Sequence, residues 1–233
     1  MLLSLKSIIM IRKPACLLVF LMMLAGNSLR AQVNDAQLWM DVNLEKKLTR
    51  ALSVEFTEEV RMNENITEVG TIFSDLGVSY RFIKHFKVGA SYRFTLKRRL
   101  DDTYKQMNSW HVEGSYREKI KQLALILRVR YQSRYAETFT SEKATIPNNH
   151  LRTKLTLKYD LKKKYEPFLY VETYFQTGVP AWQSFDQLRL CAGIEYTFNR
   201  MHMVDLHYLF CREYNTKDPE TDYVIGISYY FTF

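Results

Sequence analysis

The chain has 233 residues, room for one domain, with 47% hydrophobic residues, 14% aromatics and a formal charge of +8. Four basic residues and no acidic ones fall in the first 31 positions (Lys6, Arg12, Lys13, Arg30), leaving about +4 for the remainder. That balance is too mild and too scattered for a nucleic-acid surface, and neither a basic helix nor a base-stacking motif accompanies it.

Residues 1–31 have the layout of a secretory signal peptide: a basic start, the apolar run ACLLVFLMMLA at 15–25, and small residues ahead of a cut expected between Ala31 and Gln32, with a cut after Ser28 as the alternative. The run is too short to cross a bilayer, and Cys16 stands ahead of most of it, where it reads as a small apolar residue rather than an acylated cysteine. Past residue 31 no apolar run approaches a membrane helix, so any span must use strands.

From residue 37 the sequence repeats one plan, about ten residues of alternation and then a connection. Leu38, Met40, Val42 and Leu44 oppose Trp39, Asp41, Asn43 and Glu45. Leu52 to Met62 alternate with Ser53 to Arg61, although Glu58 interrupts the apolar face. A polar stretch at 63–71 reads as a connection. Leu76, Val78, Tyr80 and Phe82 then oppose Asp75, Gly77, Ser79 and Arg81. After a tight turn at 83–85 comes the cleanest alternation, Phe86 to Leu96 against Lys87 to Lys97. Further segments follow around Trp110, Leu125, Leu155, Leu169, Leu190 and Leu206, with a long connection at 136–149. The chain closes on YVIGISYYFTF, where Tyr223, Ile225, Ile227, Tyr229, Phe231 and Phe233 share one apolar face.

Alternation alone also fits a soluble antiparallel sandwich. Three features favour a barrel in lipid: segments longer than the usual soluble strand, aromatics gathered at segment ends, and Arg and Lys in mid-strand on the polar face. A soluble sheet ending on a free apolar strand would also invite aggregation, whereas a closed barrel has no such edge. The expected architecture is therefore an all-β, closed antiparallel transmembrane barrel of about 10 strands (10–12) with a polar, charged lumen. In domain terms this gives a cleaved signal peptide at 1–31, an N-terminal segment at 32–50 and the barrel at 51–233. Ten strands from residue 51 onward close as an even set. The segment 37–47 is the misfit, running in the same direction as the last strand, and it is open to plugging the lumen, pairing at the seam or forming an eleventh strand.

The C-terminal alternation ending in Phe233, with Tyr229 and Phe231, resembles the assembly signal of Gram-negative outer-membrane barrels. The stretches LWMDVNLEKKLTRALSVEFTEEVRMNEN and FSDLGVSYRFIKHFKVGASYRFTLKRR carry Trp39, a Glu/Arg strand ending in Arg61, and paired YRF motifs at Tyr80 to Phe82 and Tyr92 to Phe94. They resemble the bacterial outer-membrane family known as domain of unknown function 2490. The resemblance runs from about residue 37 to 233. It implies a barrel and an outer-membrane location reached after signal-peptide export, and transfers no catalytic residue.

The polar faces hold a basic set, in which Arg93, Arg128, Arg130, Arg152, Lys154 and Arg189 stand out, and an acidic set with Glu113, Glu172, Glu195 and Asp205, beside His207. Two readings stay open: a lumen filled by cross-strand ion pairs, or a narrow passage whose basic excess attracts anions. If the hairpin at 199–202 turns through three residues, Cys191 stands opposite Cys211, close enough for a disulfide; otherwise they are two unlinked lumen residues. Ser109 with His111 and Glu113, and Asp205 with His207, are the enzyme candidates, but no motif ties a nucleophile to either. No metal spacing or cofactor motif is present. The sequence therefore points to a monomeric porin-like barrel, a small pore or solute passage. A structural or adhesive barrel acting through its outer loops is the alternative, and a lipid-modifying enzyme the weaker one. Expected partners are membrane lipids, lipopolysaccharide and the barrel-assembly machinery.

Overall fold

The computed structural model describes residues 33–99, 101–136, 148–216 and 219–233. They form eleven strands: β1 Val33–Lys47, β2 Leu52–Asn63, β3 Glu68–Ile83, β4 Phe86–Arg98, β5 Tyr104–Ile120, β6 Leu123–Ala136, β7 Asn148–Tyr159, β8 Tyr165–Gln176, β9 Phe185–Thr197, β10 His202–Glu213 and β11 Glu220–Thr232. Each pairs with its sequence neighbour in antiparallel fashion, and β1 pairs with β11 to close the barrel. A 12-residue strand such as β2 rises roughly 40 Å, which at a tilt of about 40° covers about 30 Å of height, the thickness of a bilayer's hydrocarbon core.

The closing pair is parallel, with Val33 to Glu45 in register with Glu220 to Thr232. Of the placements open to the first segment, it takes that of an eleventh wall strand at the seam. Its direction forces the parallel pairing, because β2 lies antiparallel on its other side. Parallel bonds are slanted and slightly weaker per residue, so side chains that cross the seam add support. Ser228 donates to Asp41 at 2.6 Å, and the end of the seam is fixed by Phe233 N–H to Glu45 at 2.9 Å and Lys47 N–H to Phe233 at 3.0 Å.

Outward positions are apolar and open: Leu76, Val78, Leu169 and Leu206 are each about half exposed. A belt of such side chains around a whole barrel is far larger than a soluble monomer displays, and it suits lipid. Aromatic contacts gather toward both ends. Tyr165, Tyr196, Phe198, Phe231 and Phe233 lie near the short turns, while Phe175, Phe185 and Tyr214 lie near the longer connections.

The stretch 63–71 is not a long connection. β3 begins at Glu68, and the turn is 64–67, where Glu64, Asn65 and Ile66 adopt positive φ and Asp35 accepts from the N–H groups of Glu64 and Asn65. Polar residues there continue the strand beyond the apolar band, so hydropathy stops marking it.

Candidate functional site

Period-2 alternation turns odd residues of β1 to β5 and β9 to β10, and even residues of β6 to β8 and β11, toward the axis. Between them lies a cavity of about 600 Å³. Its lining reaches the end of the longer connections at Arg98, Glu213, Glu220 and Asp222 and extends to Glu55, Asn43 and Tyr230. Arg93, Glu113, Arg128, Arg130, Arg152, Lys154, Glu172, Arg189 and His207 all line it. Glu195 and Asp205 are buried outside that lining, Glu195 bonded to Lys158 and Asp205 to His207 Nδ1 at 2.9 Å.

The charges on β5 to β8 are knitted together. Glu172, 3% exposed, accepts from Arg128 at 2.7 Å and from Arg152 at 2.9 Å, and Arg152 also donates to Gln132 at 2.9 Å. Glu113 accepts from Arg130 at 2.5 Å. Across the cavity Arg93 pairs with Asp75 at 2.8 Å and Arg61 with Glu59 at 2.5 Å. Carboxylates this enclosed need such partners, because an unpaired ion would cost several kcal/mol. Among the described residues, no carboxylate lies within 4 Å of the cationic groups of Arg134, Lys154 or Arg189. Arg128 Nε is buried without a hydrogen-bond partner.

Aromatic rings hold several of these cations face-on. Arg152 and Arg189 both lie over the Tyr174 ring, at 4.4 and 4.8 Å from its centre. Arg189 also meets Trp39 at 5.3 Å; Arg61 lies over Trp39 at 3.7 Å and meets Phe73 at 5.2 Å; Arg93 lies over Phe73 at 3.8 Å. Lys154 sits 3.5 Å from the Tyr170 ring centre. The chain of contacts runs from β7 through β8 and β9, across to β1, and on to β4. Sequence reasoning did not single out Trp39, Phe73 or Tyr174 as site residues. The signal was an aromatic standing at an inward position between charged residues, as Trp39 does two residues before Asp41.

The interior is not polar throughout. Trp39, Phe168, Cys191, Leu209, Cys211 and Val224 form a buried apolar cluster on the wall made by β1 and β8 to β11, with Tyr170 packed against it. Room for the large rings comes from glycine. In one cross-strand row Trp39, Gly226, His207, Gly193 and Phe168 alternate large and small, and a Cβ on Gly193 would lie 2.5 Å from Phe168 and 2.6 Å from His207.

The disulfide is not formed: both thiols are free and buried. The turn spans 198–201, stabilised by Asn199 Oδ1 accepting from the N–H groups of Met201 and His202, and the register places Cys191 opposite Leu209 and Cys211 opposite Arg189. The cysteines are diagonal neighbours, a relation that separates residues by about 7–8 Å, beyond the Cβ spacing of about 4 Å a bridge needs. Of the catalytic candidates, Asp205 and His207 stand together as expected, with His207 Nδ1 2.9 Å from Asp205 and its ring against Gly226, while Glu113 is engaged by Arg130. At the C-terminus Tyr229 bonds His202 at 2.6 Å, and Phe231 stacks on His202 and Phe233. No helix among the described residues is long and apolar enough to cross a membrane, and no group of three or more His, Cys, Asp or Glu side chains among those residues is placed to hold a metal ion.

The closed eleven-strand barrel defines the class by its fold, and known structures are similar to it in fold. The β domain of the Bordetella autotransporter Brka aligns over 80% of this chain and 86% of its own, with a TM-score of 0.50 and 10% identity. Also similar are a bacterial polysaccharide outer membrane secretin (76% and 63%, TM-score 0.49, 12% identity) and the CymD monoaromatic hydrocarbon channel (80% and 70%, TM-score 0.45, 12% identity). The fold resembles that of outer-membrane β-barrels. Residues 36–222 match the model of the family described as "Protein of unknown function (DUF2490)", and the chain belongs to that family. A search of curated proteins gives no match.

Proposed function

We propose that this protein is a monomeric outer-membrane barrel that gives small solutes a passage or a vestibule, exported by the signal peptide read at 1–31 and oriented with its longer connections outward. The observation that carries the reading is the lined cavity running from the Arg98, Glu213 and Asp222 rim into mid-barrel, flanked by more cations than carboxylates on β5 to β9. Low-dielectric walls focus such a charge imbalance, so anions concentrate there ahead of cations. Purified protein in planar bilayers is expected to give discrete conductance with a reversal potential favouring anions in a salt gradient. Protein that inserts and never conducts would overturn the passage.

One observation favours the second reading, a binding or adhesive barrel: Trp182, in the connection 177–184, is 75% exposed. A tryptophan held out from a rim is a ready contact for a partner molecule. On this reading surface proteolysis in that connection removes binding to its partner, and conductance is absent.

A further inference from the structure

The cations on β6 to β9 are more numerous than structural pairing requires. Arg128, Arg130, Arg134, Arg152, Lys154 and Arg189 share that side of the cavity, while the acids that β5 to β9 contribute to its lining are Glu113, Glu172 and Asp186, the last engaged by His150. The other lining carboxylates are on β1 to β3 (Asp41, Glu55, Glu59 and Asp75), where Lys87, Arg61 and Arg93 already engage three of them, and at the rim on β10 and β11 (Glu213, Glu220 and Asp222). The excess is therefore local. A packed ion-pair lumen would bring each spare cation into ion-pair contact with an acid; Lys154 and Arg189 are the register neighbours of Glu172, yet neither comes within 4 Å of it.

Geometry supplies the second argument. Arg189 makes one side-chain hydrogen bond, from Nε to Gln187 Oε1 at 3.1 Å, and its guanidinium carbon lies 4.8 Å from the Tyr174 ring centre and 5.3 Å from that of Trp39. Rings hold a guanidinium by its face and leave the N–H edge free, and that edge is the one that matches an oxyanion in bidentate fashion. Arg152, on the other contact of Tyr174, Lys154, adjacent to Glu172 in the register, and the unpartnered Nε of Arg128 converge on the same wall. Cross-strand pairing places Arg128, Lys154, Glu172 and Arg189 in a single row.

We propose that this row is a binding site for a small oxyanion, a phosphate or carboxylate group, seated on Arg189, Lys154 and Arg128 and backed by the Tyr174 and Trp39 rings. It rests on the passage reading in one respect only, that the ligand reaches the row from the rim. The bound anion supplies the negative charge that the wall lacks. Phosphate and carboxylate share the chemistry that recognises them here, two or three coplanar or tetrahedral oxygens offered to fixed N–H edges.

The test is calorimetric titration of the detergent-purified protein with inorganic phosphate and, separately, succinate at constant ionic strength, with chloride as background. Saturable binding of either anion is expected. Because Arg189 and Lys154 hold no carboxylate, Arg189→Gln with Lys154→Met removes two charges without orphaning an acid, and it should weaken binding at least tenfold. Lys119→Gln, at the end of β5 and outside the cavity lining, should leave it unchanged. If the double variant fails to fold, judged by heat-modifiable migration, Arg189→Lys keeps the charge, loses the forked edge and should still bind more weakly than the parent. No saturable binding of either anion, or equal binding by parent and variants, overturns the site. Equilibrium binding does not need flow, so phosphate binding without conductance removes the passage and leaves the site, and anion-selective conductance without binding does the reverse.

Discussion

Single residues inside this barrel are under two opposite constraints. Glu172 is the pivot of its wall, accepting from Arg128 and Arg152 while 3% exposed, and Glu172→Ala leaves Arg152 without a counter-charge and Arg128 with only Glu113 at 3.9 Å. Removing one partner of a buried pair costs about 3–5 kcal/mol. The expected outcome is a lower urea midpoint for unfolding from lipid vesicles, with Glu172→Gln intermediate because it still accepts hydrogen bonds. Arg189→Gln, which leaves no acid unpaired, should shift the midpoint less, so the pair of variants separates charges that hold the wall from charges free for a ligand. On the outer face the sign reverses. Glu58 interrupts an apolar row and is satisfied by Ser74 at 2.6 Å. A carboxyl facing lipid is less costly than Arg or Lys at about 2–4 kcal/mol but still unfavourable, so Glu58→Leu should raise the same midpoint by about 1 kcal/mol.

At the level of strands, the alternation was legible because burial has the same period as the backbone pleat, and it assigned inward and outward faces correctly even in β8, where both faces are rich in apolar residues. Register was not legible. The turn at 198–201 moves the β9 to β10 pairing by two residues, which keeps every face and changes every partner, and that is how Cys191 came to face Leu209 instead of Cys211. Strand ends were hidden for a related reason: beyond the lipid belt both faces are polar, so β3 runs to Glu68 without a hydropathy signal. The charged site was visible as residues but not as a site, since the contacts of Arg189 with Trp39 join strands β9 and β1 that no local pattern relates. Two element-scale outcomes follow. Gly193→Ala drives a methyl into Phe168 and His207 and should destabilise β9 by about 1–3 kcal/mol in the same vesicle assay. Deleting Phe233 removes two backbone bonds of the parallel seam and the ring stacked on Phe231, and should lower the yield of heat-modifiable barrel in the membrane; an unchanged yield would count against the seam as the closing step.

For the whole molecule, the odd strand number has a consequence that an even barrel lacks. With eleven strands β1 and β11 run the same way, so the start of β1 lies with the longer connections while its end lies with the short turns. Asn34 is therefore on the same side as Asp102 in the connection 99–103, and Lys162, in the turn 160–164, is on the opposite side. Single cysteines at these three exposed positions, treated on intact cells with a membrane-impermeant maleimide, should divide two against one: Asn34→Cys and Asp102→Cys labelled, Lys162→Cys protected until the cells are broken. Cys191 and Cys211 add no background, being 5% and 1% exposed. If residue 34 instead behaves like residue 162, the first segment does not run as a wall strand parallel to β11. Closure would then have to come from β2 against β11, which would leave Trp39 outside the arginine and aromatic chain that the oxyanion site depends on.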